Sequence, residues 1–317
     1  WTLPWTSRGD LWIQAKAHSL SLPDYLETFQ ITLRCMQKKE YIRDIVLDTI
    51  RALSQDNVAY AELRFCPELC TREGLSSMEV LDTATAALRE AKKLYSMDAN
   101  FIVCAMRQNS PSHSMEMVQL AHAFMHDGVI GVDLAGPEQG FPAVAHKAAF
   151  DWAAAHGIPI TIHAGEVEGV ESVRQAIQET HAKRIGHGIR ILDDVLASGQ
   201  LSELLWEVLE RNITLEVCPT SNVQTGAVRS MKEHPFNILL RLNMPVTINT
   251  DNRLLGGVST SDELYKCAIQ FEWTPEQLIS LQHNAVDAIF DESKKKPLRQ
   301  LLTQWSLSHE SVPVFSG

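Results

Sequence analysis

The run Ile158-Pro159-Ile160-Thr161-Ile162-His163-Ala164-Gly165-Glu166 decides the fold prediction for this chain. Its first five residues are apolar or β-branched at nearly every position, which is typical of a strand covered on both faces. Polar residues and a glycine then follow at once. We therefore predict a buried parallel strand whose carboxyl end carries reactive side chains.

Six further runs share this character, and segments with helical spacing separate them. The other strand candidates are Val58–Phe65, Asn100–Met106, Val129–Leu134, Arg184–His187, Ile213–Val217 and Pro245–Asn249. The predicted helices are Tyr41–Leu53, Met78–Tyr95, Met115–Met125, Ala143–His156, Val170–Glu179, Ser202–Arg211, Pro235–Leu242 and Ser261–Gln270. Strands that alternate with helices predict parallel βα units.

Seven such strands are one fewer than a closed (β/α)8 barrel contains. Asp10–Ala15 is the remaining candidate for the first strand, so we expect that strand to be atypical or missing. An open doubly wound sheet is the rival, but no Gly-x-Gly-x-x-Gly follows a strand here. We predict an α/β fold of the TIM-barrel type with parallel strands, one domain over residues 1–317, in which residues 291–317 form a C-terminal helical extension.

Composition excludes several classes of function. The chain carries 28 Lys and Arg against 39 Asp and Glu, a formal net charge of −11. General nucleic-acid binders and polybasic membrane anchors need an excess of basic residues. No apolar run reaches the roughly 18–20 residues of a membrane span. No signal peptide is evident at the start, and the six cysteines are scattered, so we expect a cytoplasmic protein with reduced thiols.

Polar side chains collect where the predicted strands end, which is where barrel enzymes place their catalytic groups. The candidates are His163, Glu166, His187 and Asp251. A neutral imidazole is a good zinc ligand, and a carboxylate in a partly desolvated pocket can transfer protons. Together they match a hydrolysis in which a metal-bound water attacks an electron-poor carbon.

Each of these residues also has a structural interpretation. His163 is able to cap a strand end, His187 to lie in a glycine turn, and Asp251 to cap a helix. Arg64 and Arg107 follow two other strands, where they are candidates for anchoring loop carboxylates. The sequence alone leaves these alternatives open.

Four motifs resemble those of the adenosine deaminase family, in the same order and at similar separations. They are Thr161–Glu166, Arg184–Gly188, Cys218–Asn222 and Thr247–Asn252. Asp133–Glu138 is similar to the family's glycine turn, and Tyr60–Phe65 to its second strand. The resemblance covers roughly residues 20–290. It implies a zinc-dependent barrel that hydrolyses adenosine, and often deoxyadenosine, to the inosine product and ammonia.

The resemblance also implies a role for each matching residue. His163 and Asp251 would bind the zinc ion, one per chain. Glu166 would protonate the purine ring nitrogen next to the reacting carbon. His187 would orient the zinc-bound water and help to deprotonate it, with Asp251 assisting.

Two further residues would hold the substrate, a small purine nucleoside. Gly136 would offer its backbone N–H to the purine, and Asn252 would contact the imidazole side of the base. The predicted partners include no nucleic acid and no membrane, and the oligomeric state is left open.

The chain departs from the family at the first strand, where His-x-His supplies two zinc ligands. No His-x-His occurs in the 317 residues. Either Trp12 and Gln14 occupy those two positions, or the motif lies upstream of this chain. Catalytic zinc sites normally have three or more protein ligands, so weaker metal binding is expected. The alternatives are an adenine or other aminopurine deaminase, and a catalytically impaired relative that binds purines without an intact metal site.

Overall fold

Seven parallel strands form the frame of the part of the chain that the structure describes. The computed structural model describes residues 21–195 and 201–309. Its strands are β1 Tyr60–Phe65, β2 Asp98–Met106, β3 Val129–Ala135, β4 Thr161–Ala164, β5 Arg184–His187, β6 Thr214–Val217 and β7 Val246–Ile248. Every one of them falls on a predicted strand. Asp10–Ala15, the candidate for the first strand, lies outside the described residues.

The strands pair in chain order. β1, β2 and β3 form one parallel sheet, and β4 to β7 form a second. A parallel bridge between Val132 and Ile160 joins the two sheets. Because each strand lies beside the next one along the chain, with helices between them, the prediction of a TIM-type α/β barrel is confirmed.

Helices connect the strands and cover the outside of the sheet. They are α1 Leu22–Arg34, α2 Lys39–Gln55, α3 Ser77–Tyr95, α4 Pro111–Ala123, α5 Lys147–Ala155, α6 Val170–Glu179, α7 Glu203–Glu210, α8 Pro219–Gln224, α9 Phe236–Arg241, α10 Arg253–Gly256, α11 Thr260–Phe271, α12 Pro275–Ala288 and α13 Glu292–His309. Four 3₁₀ segments lie at Pro67–Cys70, Ala143–His146, Ile189–Asp194 and Met231–Glu233. None of the helices in these described ranges has the length and apolar composition needed to cross a bilayer.

Periodicity identified most of the long helices, but it missed the 13-residue helix α1 and the short helices. All eight predicted helices are present, although Ala143–His156 is divided into a 3₁₀ turn and α5. Helices α8 and α10 were not predicted, because four to six residues are too few to show a helical period. Asn212 ends the turn after α7 with a positive φ, in the left-handed conformation expected for a residue just past a helix.

A buried set of ion pairs crosses the interior of the barrel. The Arg184 guanidinium lies 3.5 Å from the centroid of the Phe290 ring, and its Nε is 2.8 Å from Glu216 Oε1. Its Nη1 pairs with the carboxylate of Glu62. These three charged side chains are less than one-tenth exposed and come from β1, β5 and β6. The pair between Arg184 and Glu62 therefore ties β5 to β1, two strands that share no backbone ladder.

We expect Arg184→Met to lower the free energy of unfolding by about 3 kcal/mol, because Glu62 loses its buried cation. The matched control is Arg43→Met. Arg43 pairs with Glu90, but both side chains are at least 40% exposed, so the loss should stay below about 1 kcal/mol. Urea unfolding followed by circular dichroism measures both values. Equal losses in the two variants would contradict a structural role for the interior pairs.

Candidate active site

All the predicted site residues face one cavity at the carboxyl ends of the strands. His163 lies in β4, His187 ends β5, and Glu166 follows β4 by two residues. Asp251 follows β7, and all four line the same cavity together with the two predicted substrate residues, Gly136 and Asn252. The structure thus brings the whole predicted set together, while the chemical roles of its members stay predictions.

His163 is oriented by a buried carboxylate. Its Nδ1 lies 3.0 Å from Asp133 Oδ2, and Arg64 Nη1 donates to the same oxygen at 3.2 Å. Although burial opposes it, the charges of His163 and Arg64 hold the pKa of Asp133 well below its usual value. A carboxylate that accepts from Nδ1–H leaves Nε2 of the imidazole as an electron-pair donor. The sequence analysis did not predict that Asp133 contacts His163 or that Arg64 contacts Asp133, because these residues are far apart in sequence.

The two arginines at strand ends have structural partners. Arg64 binds two buried carboxylates, Asp133 and Glu216, the latter at 2.7 Å. Arg64 therefore anchors carboxylates, but these belong to β3 and β6 and not to loops as expected. Arg107 instead donates to the backbone carbonyls of Phe141 and His163. It thereby supports the end of β4 rather than a carboxylate.

Glu166 is a buried acid in contact with a second imidazole. Its Oε1 accepts a hydrogen bond from Thr225 Oγ1 at 2.9 Å, and its Oε2 lies 3.5 Å from His187 Nε2. Burial raises the pKa of Glu166 above its usual value. A carboxyl group with a raised pKa keeps its proton to a higher pH than an exposed one, which suits it to act as a general acid.

The loop that carries Glu166 is held by a residue that the sequence analysis did not select. Glu138 accepts hydrogen bonds from the backbone N–H groups of Gly165–Glu168, at 2.5 to 3.2 Å, and from Ser172 Oγ at 2.5 Å. Although burial opposes it, these hydrogen bonds lower the pKa of Glu138. A buried, ionised carboxylate thus fixes the backbone on both sides of Glu166. Its position in the Asp133–Glu138 stretch was the available signal.

Asp251 and His187 both have strained backbones. Both have a positive φ in the left-handed region, which side chains other than glycine rarely adopt. Such strain is concentrated at functional sites. Asp251 Oδ2 accepts a hydrogen bond from Ser221 Oγ at 2.7 Å, whereas its Oδ1 has no hydrogen-bond partner in residues 21–195 and 201–309. One carboxylate oxygen of Asp251 is therefore available to a ligand.

Asn252, and not Asp251, caps the helix that follows β7. Its Oδ1 accepts from the N–H of Leu255 at 3.0 Å, at the start of α10. The alternative interpretation of Asp251 as a helix cap is therefore wrong. Because the Asn252 oxygen is engaged, the amide presents its N–H donors to the cavity.

Gly136 stands where only glycine fits. Its φ is positive, and a Cβ atom there would lie 2.3 Å from Gln108 Oε1. The chain turns at this point without a side chain, so a flat ligand is able to approach the backbone closely.

The described residues do not complete a metal site. Within residues 21–195 and 201–309, no three His, Cys, Asp or Glu side chains are arranged to hold a metal ion. His163 Nε2 and Asp251 Oδ1 are two suitable donor atoms on one cavity. A catalytic zinc site uses three protein ligands or more, so a metal here needs a further ligand. Trp12 and Gln14, considered above as replacements for the missing histidines, lie outside the described residues.

Comparison with known proteins identifies relatives along nearly the whole chain. The family model described as adenosine deaminase matches residues 3–305. Adenosine deaminase of Mycobacterium avium is 38% identical over 301 residues, which cover 91% of this chain and 82% of that protein. Adenosine deaminase of Clostridium acetobutylicum is 38% identical over 283 residues, covering 89% and 82%.

Solved structures share the same fold at lower identity. An adenine deaminase from Arthrobacter aurescens superposes with a TM-score of 0.87 and 22% identity, covering 96% of this chain and 91% of its own. Arabidopsis ADAL complexed with IMP has a TM-score of 0.83 at 22% identity, covering 95% and 88%. An amidohydrolase from Burkholderia ambifaria with bound Zn has a TM-score of 0.80 at 24% identity, covering 88% and 77%.

We expect Glu138→Gln to release the loop at Gly165–Glu168, because an amide turns one acceptor oxygen into a donor that faces backbone N–H groups. Hydrogen exchange of these amides should become faster. The free energy of unfolding should fall by about 1–3 kcal/mol for the unsatisfied donors. Glu233→Gln, on an exposed 3₁₀ turn, is the control. Unchanged protection in Glu138→Gln would show that the carboxylate does not hold the loop.

Proposed function

The chain belongs to the adenosine deaminase family, and on this premise we propose that it hydrolyses adenosine, and deoxyadenosine, to the inosine product and ammonia. Family membership makes it a hydrolytic deaminase that acts on a C–N bond. The observation that carries the choice of reaction is the buried Glu166, whose raised pKa favours the protonated acid, beside His187. A purine amine is a poor leaving group until its ring is protonated, and this acid meets that need.

The proposed reaction needs a proton donor, an attacking oxygen and a proton acceptor. Glu166 donates its proton to a ring nitrogen, which makes the adjacent carbon more electrophilic. Water then forms the new carbon–oxygen bond while the Asp251 carboxylate takes one of its protons. The amine takes up this proton and leaves as ammonia when the carbon–nitrogen bond breaks. The remaining hydroxyl proton returns to Glu166, and the ring nitrogen keeps the proton it received.

Gly136 and Asn252 are proposed to orient the base. The glycine turn permits close approach of the flat purine, and its backbone N–H would face a ring nitrogen. Asn252 Oδ1 already accepts the hydrogen bond that caps α10, which leaves its NH2 group as the donor proposed to contact a substrate. The imidazole side of adenine presents a ring nitrogen that accepts hydrogen bonds, which suits this donor.

We propose one zinc ion per chain, with His163 and Asp251 as two of its ligands. A zinc ion makes a bound water more acidic and supplies hydroxide at neutral pH. Asp133 would act through His163, because its hydrogen bond to Nδ1 directs Nε2 toward the metal. The other protein ligands would have to come from residues beyond those described.

The proposed ligand is a small purine nucleoside, and nucleic acid and membranes are not proposed as partners. A net charge of −11 disfavours binding to polyanions. All six cysteines are free thiols, and five of them are buried. This thiol chemistry agrees with the cytoplasmic location that we propose.

The chain supplied with zinc should convert adenosine to inosine, followed by mass spectrometry. Glu166→Gln should lower kcat by at least about 100-fold, because the amide cannot donate the proton that the ring needs. Its circular dichroism spectrum and unfolding midpoint should stay unchanged. Glu171→Gln is the matched control, since that side chain is 68% exposed on α6. Turnover of adenine but not adenosine, or of neither, would reject the proposal in favour of one of the alternatives.

Removal of metal with a chelator should abolish turnover, and added zinc should restore it at one ion per chain. His163→Gln and Asp251→Asn should each weaken zinc binding, because each removes a proposed ligand. His113→Gln is the control, since that half-exposed imidazole lies beside Glu68 and does not line the cavity that contains His163 and Asp251. Zinc content measured after dialysis tests the ligands independently of activity. Undiminished turnover in the metal-free chain would exclude the zinc site.

A further inference from the structure

We propose that Asn222 and His234 are positioning residues that fix the tautomer of His187, so that its Nε2 carries the proton and donates into the cleft. Asn222 belongs to the Cys218–Asn222 motif but was given no role there, and His234 was not selected from the sequence. The catalytic consequence rests on the proposed deaminase function, whereas the tautomer itself does not. Three consecutive hydrogen bonds support this assignment. They lead from the backbone N–H of Phe236 through His234 and Asn222 to His187.

The first hydrogen bond comes from the main chain. The backbone N–H of Phe236 lies 3.2 Å from His234 Nδ1. A backbone N–H can only donate, so Nδ1 of His234 must present its lone pair. This contact needs no assumption about the protonation of the ring.

The second hydrogen bond follows from the charge of His234. Burial lowers the pKa of this imidazole to about 4. The ring is therefore neutral near pH 7, and its single proton must sit on Nε2. That atom lies 3.2 Å from Asn222 Oδ1 and donates to it.

The third hydrogen bond transmits this choice to His187. With its oxygen committed to His234, the fully buried Asn222 turns its Nδ2 toward His187 Nδ1, at 3.0 Å. An amide nitrogen can only donate, so Nδ1 of His187 is an acceptor and the neutral ring carries its proton on Nε2. Flipping the amide, so that its oxygen and nitrogen change places, would set its NH2 group against the Nε2–H of His234. Two facing donors in a buried site are unfavourable, and the flipped amide is therefore excluded.

The local backbone holds this relay in place. Asn222 lies in α8, whose second residue, Thr220, donates through its N–H to the buried carboxylate of Glu263 at 2.7 Å. The Asn222 N–H donates to Cys218 O at 2.9 Å. Because α8 directly follows β6, the amide of Asn222 is anchored to the barrel itself.

The consequence concerns which group accepts the proton of the attacking water. A neutral His187 with Nε2–H offers a donor to the cleft, where its nearest carboxylate atom is Glu166 Oε2 at 3.5 Å. It can orient an oxygen by donating to that oxygen's lone pair. Its own lone pair is on Nδ1, which faces Asn222, so it cannot take a proton from the cleft. The acceptor role then falls to Asp251. This differs from the expectation that His187 helps to deprotonate the water.

The direct test is NMR of the full chain labelled with ¹⁵N-histidine, recorded without substrate. Long-range ¹H–¹⁵N correlations distinguish a ring protonated at Nε2 from one protonated at Nδ1, and the His187→Gln spectrum assigns the signals. We expect His187 to be protonated at Nε2 in the unaltered chain. Protonation at Nδ1 alone would overturn the proposal without any variant, and independently of whether the chain deaminates adenosine.

Two variants test the relay. Asn222→Asp replaces the donor facing His187 with an oxygen, so Nδ1 of His187 should become protonated. Asn237→Asp is the matched control, because Asn237 also bonds at both ends of its amide, to Phe271 and Trp273, but does not contact His187. The His187 signals of Asn237→Asp should be the same as those of the unaltered chain. An unaltered His187 in Asn222→Asp would overturn the role of Asn222.

Kinetic measurements distinguish a role of Asn222 in positioning His187 from a role in the stability of the fold. Asn222→Asp should lower kcat by about 100-fold with little change in KM, because substrate contacts remain while the donor is lost. Asn237→Asp should keep the kcat of the unaltered chain. A switched tautomer with full kcat would overturn the positioning role. The expected spectrum in a chain that does not deaminate adenosine would instead refute the proposed function and leave the tautomer assignment standing.

Discussion

Buried charge inside the barrel is the constraint on which the rest of the structure depends. A charged side chain in the interior is stable only when its partners surround it. Arg64 meets this requirement by joining Asp133 to Glu216, and Arg184 joins Glu216 to Glu62. The outer end of this network is Asp133, which orients His163. The interactions that hold the strands together therefore also set the direction of a proposed metal ligand.

Around this network, side chains with no proposed chemical role fix the positions of the side chains that are proposed to react. A carboxylate at Glu138 fixes the loop of Glu166, and a neutral imidazole at His234 sets the orientation of the amide next to His187. Ser221 holds Asp251 in the same way. Each support is buried or half-buried, where a misplaced donor is costly, so each reactive side chain has one favoured arrangement. The strained backbones at His187 and Asp251 persist because these supports surround them.

Sequence patterns predicted the frame of the molecule and failed at short elements. The seven strands were recognisable because buried parallel strands are apolar at almost every position. The turn after β6 was different. Cys218–Asn222 was identified as a strand-end motif, and the helix start that Pro219 allows was missed because α8 is only six residues long. Likewise Asp251 and Asn252 are adjacent residues with equal capping ability, and only the path of the chain after β7 selects Asn252.

The sequence by itself determined the fold class, the family and which side chains stand at the strand ends, because these depend on local periodicity and on the order of short motifs. Only the tertiary structure decided how those side chains are oriented. Asp133 meets His163 across 30 residues, Glu138 meets Val167 across 29, and Asn222 meets His187 across 35. A periodic pattern carries no information about partners at such separations. The proton positions follow from these contacts, since a donor and an acceptor are defined only when the atoms face each other.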